Sequence, residues 1–237
     1  FKWAAYDDVH APEYLQKCIA ILDKNPSIVL CHCKTGRIDD HGTFLGYHNQ
    51  GMLRRIGARK PHERFGDLTS LSYTCCLFFG VIRASSLRKT PLHGNYIGAD
   101  RNLLAEIGLM GQIHEIPECL FFQRDPPPDA YTSINYILIY YDWTCFPHWK
   151  NCTGYFRSVN RVPLKWSERL LCYRQIFRWF MEKGWVYMGY DMEIFLLRSS
   201  RLARKLIPFV LLNLRRTVIP IIKKMMQKAG LKAPSLF

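Results

Sequence analysis

The 237-residue chain contains no CxxC pair, no internal repeat and no low-complexity tract. These absences argue against a zinc-ribbon or dithiol redox site, a solenoid and wholesale disorder. No apolar run reaches membrane-spanning length: 70–83 (SLSYTCCLFFGVIR) is too short, and Arg215-Arg216 interrupt the aliphatic stretches of the tail. No local signature of a Ser–His–Asp or Cys–His nucleophile is present. Acid is missing altogether from 194–237, where ten Lys or Arg lie.

What is present is a core. Apolar residues make up 49% and charged residues 22% of the chain, a balance that buries well. Residues 1–149 hold 15 basic and 15 acidic side chains, whereas 150–237 hold 18 and 4, so the net charge of +14 sits wholly in the last third. The nine cysteines are odd in number and several lie in apolar runs, which predicts reduced core thiols in a cytosolic protein. The opening Phe-Lys-Trp carries no secretory leader and begins on what reads as a strand, so the chain is expected to be a fragment.

Periodicity predicts the end of a buried strand over 1–6, acidic Asp7-Asp8, and a helix with Leu15, Cys18, Ile19 and Leu22 on one stripe, stopped at Asn25-Pro26. A strand follows over 27–33, then a turn over 37–42 and a long irregular basic excursion over 43–69. Residues 70–83 read as a central strand or the start of a buried helix. Asp100–Gly111 reads as a helix, and 113–124 as two short strands around Pro117. The Pro-rich stretch after Asp125 marks a boundary, giving a unit over 1–129 and an aromatic-rich, basic, mainly helical extension over 130–237. Within the extension, Ser167 is expected to cap a helix to Lys183, with Leu170, Tyr173, Phe177 and Phe180 on one face. Strand, loop, helix, strand is the grammar of an α/β layered domain.

Asp7-Asp8 follow an apolar strand at the carboxyl edge of a sheet, where ligands bind in open α/β folds. Two adjacent carboxylates suit a Mg²⁺ or Mn²⁺ bridging to a diphosphate; the alternative is a solvated loop with a capping Asp. Asp100 is either a general base or an ordinary N-cap. Arg124 either clamps a phosphate or pairs at a surface turn. Asp39-Asp40-His41 before Gly42 suit a tight turn better than a metal cluster, and Cys31-His32-Cys33 alternates along a strand, a poor ligand geometry. The basic tail fits an anionic membrane surface better than nucleic acid or a solvated face, because its cations alternate with aliphatic patches.

Two blocks, FKWAAYDDVHAPEYLQKCIAILDKNPSIVL and GVIRASSLRKTPLHGNYIGADRNLLAEIGLMGQIHEIPECLFFQRDPP, resemble the second half of the catalytic domain of bacterial glycosyltransferase family 2 over about residues 1–128. The resemblance implies a partial GT-A-like (Rossmann-like) mixed sheet with flanking helices, N-terminally truncated before its nucleotide-base-binding βαβ units. It implies donor and divalent-metal roles for Asp7 and Asp8, a base role for Asp100, and a place for Arg124 in the donor or acceptor pocket. Ala5 stands where many members carry the first Asp of a D-x-D, so fewer carboxylates would hold the metal, and Asp125 stands where close members carry His. The implied activity is inverting transfer of a sugar from a nucleoside-diphosphate donor to a glycan or lipid-linked acceptor hydroxyl. Its context would be surface polysaccharide or lipopolysaccharide assembly, on the cytoplasmic face of a membrane. A second expectation is a non-catalytic membrane- or polymer-binding module that keeps part of the fold.

Overall fold

A computed structural model describes residues 1–48, 53–70, 74–125 and 146–199. The architecture is α/β, with one mixed open sheet between helical layers. Its centre is a parallel pair, β2 (Ile28–Ile38) and β5 (Gln112–Arg124). The short β1 (Val9–His10) runs antiparallel beyond β5, while β3 (Phe44–Tyr47) and β4 (Val81–Ile82) both pair antiparallel with β2. Buried on both faces, β2 reads as the continuous apolar run expected of such a strand.

On one face lies α1 (Tyr14–Lys24), whose Tyr14, Cys18 and Leu22 pack against Cys31, Cys33, Val81 and Phe121. Leu15 and Ile19, expected on the same stripe, are exposed. The opposite face carries α2 (Pro61–Thr69), α4 (Ala99–Met110), α5 (Pro147–Arg161), α6 (Trp166–Trp179) and α7 (Trp185–Ser199), with a one-turn α3 (Ala84–Leu87) leading into the 88–98 loop. Tyr155, Val159, Cys172, Ile176 and Trp179 from the later helices share one core with Leu30, Ile82, Leu104 and Ile113. Cys18, Cys31, Cys33, Cys76 and Cys172 are buried free thiols; Cys145 lies outside the described residues, as do 126–145, where the boundary near 129 falls, and the tail beyond 199.

Several expectations are corrected. Residues 1–6 form no strand; only Phe1 pairs, exchanging backbone hydrogen bonds of 2.8 and 2.7 Å with Ile82, while Trp3 stacks on Phe78. The 43–69 excursion contains β3 and α2. The 70–83 run becomes a 3-10 helix (Cys75–Phe79) and the two-residue β4, with 71–73 outside the described residues. Pro117 does not divide 113–124: β5 is one strand whose register shifts there, because Cys33 and Lys34 pair with Ile116 and Cys119 and the intervening residues bulge out. Ser167 lies inside α6 rather than capping it; Lys165 is the cap, and the helix gives way to a π turn (Phe180–Gly184). Leu170, Tyr173 and Phe177 do share a face, but Leu170 and Phe177 point outward, because α6 packs through Cys172, Ile176 and Trp179.

α4 is held at its end by Arg64, which is buried. Its Nε donates to the Gly108 carbonyl (2.6 Å) and its Nη2 to that of Leu109 (3.5 Å), while Nη1 donates to the carbonyls of Ala58 and Arg59. These serve the unpaired acceptors of the helix's last turn and favour a cation there. An Arg64→Leu variant leaves these carbonyls buried without donors, at about 1–3 kcal/mol each when fully unsatisfied. We expect a loss of roughly 3 kcal/mol or more in urea unfolding; an unchanged midpoint would show that water replaces the guanidinium.

Candidate functional site at the carboxyl edge

β2 and β5 end together at Ile38 and Arg124, and Asp7-Asp8 lead into β1 beside that end. The Arg124 backbone N–H donates to Asp8 Oδ1 (3.0 Å) and its Nε to the Asp7 carbonyl (3.1 Å), while Nη1 donates to the Asp39 carbonyl. Asp7, Asp8 and Arg124 are thus brought together. Arg124 gives one N–H each of Nε and Nη1 to main-chain carbonyls, and its Nη2 makes no hydrogen bond among the described residues, which leaves Nη2 for a ligand. Asp125 forms a two-point pair with Arg37 (Nε to Oδ1, 3.0 Å), which holds its carboxyl below the ordinary range. Asp39-Asp40-His41 is the expected turn, its Asp39 Oδ1 accepting from the N–H groups of His41 (2.9 Å) and Thr43 (2.8 Å).

Asp100 stands on another element, and among the described residues no hydrogen bond or ion pair joins it to Asp7, Asp8 or Arg124. Gly111 alone separates α4 from β5, so α4 runs back along the sheet in the direction of the carboxyl edge. Asp100 is not the cap: Gly98 is, with φ +81°, and a Cβ there would lie 2.4 Å from Asn151 Nδ2. The carboxylate stands in the first turn, where the positive helix end favours it, within electrostatic reach of Tyr96 and Tyr155.

Asp8 Oδ2 is buried and makes no hydrogen bond. Burial raises the Asp8 carboxyl above its ordinary pKa and the charge of Asp7 adds to this, against the Arg124 N–H and Lys2. Lys2 also lies over the Phe121 ring (5.3 Å), and Cys76, Thr35 and Gln123 complete the surroundings. Sequence reasoning missed Lys2, Arg37 and Cys76; a lone lysine within an aromatic run was the one available signal. Among the described residues no three His, Cys, Asp or Glu side chains converge as a metal cage. A Mg²⁺-type ion needs only one or two carboxylates when substrate phosphates supply the rest, so the orphaned Asp8 oxygen with Asp7 beside it fits that ion.

A second concavity of about 310 Å³ lies between α4, α5 and the 91–98 loop, lined by residues that include Tyr96, Glu106, Lys150 and Arg157. Asp100 does not line it. No protein-family model and no curated protein matches the chain.

The raised Asp8 value sets a pH dependence. A carboxyl with a raised folded-state pKa contributes stability that is complete below the unfolded value and is lost as pH rises through the folded one. Asn keeps the acceptor for the Arg124 N–H and carries no charge. Asp8→Asn is expected to melt above wild type at pH 7, the gap closing as pH falls below the ordinary carboxylate range. A variant that melts below wild type at pH 7 would mean that ionised Asp8 stabilises the fold.

Proposed function

We propose that the chain is the second half of a GT-A-like catalytic domain of a nucleotide-sugar-dependent, inverting glycosyltransferase related to family 2. The supporting observation is the buried, unpartnered Asp8 Oδ2 at the carboxyl edge, beside Asp7 and Arg124. Asp100 takes the proton of the acceptor hydroxyl. The freed oxygen attacks the anomeric carbon, and the bond from that carbon to the diphosphate oxygen breaks with inversion. Arg124 keeps Asp7 and Asp8 in place and presents Nη2 toward the departing phosphates. Bound to Asp7 and Asp8, a Mg²⁺ or Mn²⁺ ion supplies positive charge against the diphosphate. The acceptor is a glycan or lipid-linked hydroxyl in surface polysaccharide or lipopolysaccharide assembly.

The test is turnover of UDP-, GDP- and dTDP-sugars by the full-length protein with Mg²⁺ or Mn²⁺. Asp100→Asn should lower kcat about 10²–10⁴-fold, the usual range for removing a general base, with donor affinity kept. Wild-type turnover in that variant would make Asp100 a helix-end charge only.

One observation favours a membrane-surface role as well. On α6, Trp166 (65% exposed), Leu170 and Phe177 (63% exposed) form an outward strip with Arg169 and Arg174 beside it, the pattern of an interfacial helix. Among the described residues no helix is long and apolar enough to cross a membrane. Flotation with phosphatidylglycerol vesicles should show binding that falls at high salt, and Trp166→Ser with Phe177→Ser should lower partitioning at least about tenfold. Equal flotation of the double variant would remove α6 from the contact.

A further inference from the structure

The cavity between α4 and α5 is separate from the carboxyl-edge site. On α4 it is lined by Ala99, Asn102, Leu103 and Glu106, one helical face, and Asp100 is turned about 100° from Ala99. On α5 the lining includes Lys150, Arg157 and Arg161, again one face. Glu106 is the single carboxylate in the lining, and it is already neutralised. Its Oε2 accepts from Ser158 Oγ (2.8 Å), and both its oxygens accept from Arg161 Nη1 (2.6 and 2.7 Å). Lys150 and Arg157 form no ion pair among the described residues. Two positive charges therefore face the cavity without compensation.

Three further observations mark the place as built. Leu92 lines the cavity at φ +64°, a conformation costly for a residue with a branched side chain. Gly154 lets α5 approach α4 so closely that a Cβ would lie 2.5 Å from Asn102 Oδ1, an oxygen buried and without a hydrogen bond. Tyr96 brings a phenol beside the Asn102 side chain, and a phenol carries its proton at neutral pH and can donate it. The positive end of α4 opens at Ala99. A volume of about 310 Å³ lies at the lower end of small-molecule sites, roughly 300–1,000 Å³.

We propose that this cavity binds a phosphate-bearing small molecule, its phosphate held by Lys150 and Arg157 with the Tyr96 hydroxyl as a neutral donor. A phosphate monoester carries about −1.5 to −2 at pH 7, which matches the two uncompensated cations. Such a group comes either on a soluble sugar phosphate or on a lipid-linked diphosphate, and Pro91, Leu92 and Leu103 offer either one an apolar wall. The proposal does not depend on sugar transfer, and its readout is binding alone.

The experiment is calorimetric titration of the intact protein with glucose 6-phosphate, geranyl diphosphate and, as the uncharged control, glucose. Both phosphates should bind and glucose should not; the tighter of the two identifies the soluble or the lipid-linked source. Lys150→Met with Arg157→Met, both at exposed positions, should weaken binding at least tenfold. Thr153→Trp, which keeps every charge and fills the cavity, should abolish it. Lys24→Met, on α1 at the far face of the sheet, should leave it unchanged. Equal affinity in the double variant, an equal loss in Lys24→Met, or no binding of either phosphate at millimolar concentration overturns the proposal.

Discussion

The buried guanidinium of Arg64 ties together the parts on which the site depends. It joins the last carbonyls of α4, those of Gly108 and Leu109, to those of Ala58 and Arg59, three residues before β5 begins its parallel pairing with β2. Because only Gly111 intervenes, pinning this end of α4 fixes the height at which its other end meets the sheet. Asp100 rides on that end. Burial pushes the Arg64 pKa down, yet the carbonyls make ionised Arg64 a better occupant than any apolar side chain, which would strand all of them.

The same economy governs Arg124. Its sequence context, an apolar strand running into prolines, suits a phosphate clamp and a surface-turn pairing equally. The Asp7 and Asp39 carbonyls that claim it come from chain segments 117 and 85 residues away. Nothing local to Arg124 announces them. The acidic pair, in contrast, was legible, because two carboxylates in sequence remain close in any fold. What could not be read was that one Asp8 oxygen would be used by a backbone N–H and the other left buried and bare.

Elements were legible where their burial is one-sided and local. The α4 stripe of Leu103, Leu104 and Ile107 is apolar in sequence and buried in the structure. α6 shows the limit of that logic, since it carries two apolar stripes at helical spacing. Leu170-Tyr173-Phe177 and Cys172-Ile176-Trp179 differ little in hydrophobicity, and only the neighbours α2 and α5 decide which goes inside. Pro117 misled for a related reason. A proline breaks a ladder only where its N–H is needed, and the bulge in β5 removes that need. The α4–α5 cavity has no sequence signature, because Tyr96, Glu106 and Lys150 come from three separate segments.

The two polar regions carry opposite charge balances and share one helix. At the carboxyl edge, Asp7, Asp8, Asp39 and Asp125 face Lys2, Arg37 and Arg124; at the cavity, three cations face one carboxylate. α4 is fixed at its far end by Arg64. Near its start Asn102 donates to the Asn151 side chain (2.6 Å), and Asn151 donates to the Ile97 carbonyl (2.8 Å). A helix held at both ends in a close-packed interior moves as a body or not at all. Asp100 and the cavity-facing residues are a quarter-turn apart on that body. Asp100 and the α4 residues that line the cavity therefore keep fixed positions relative to one another.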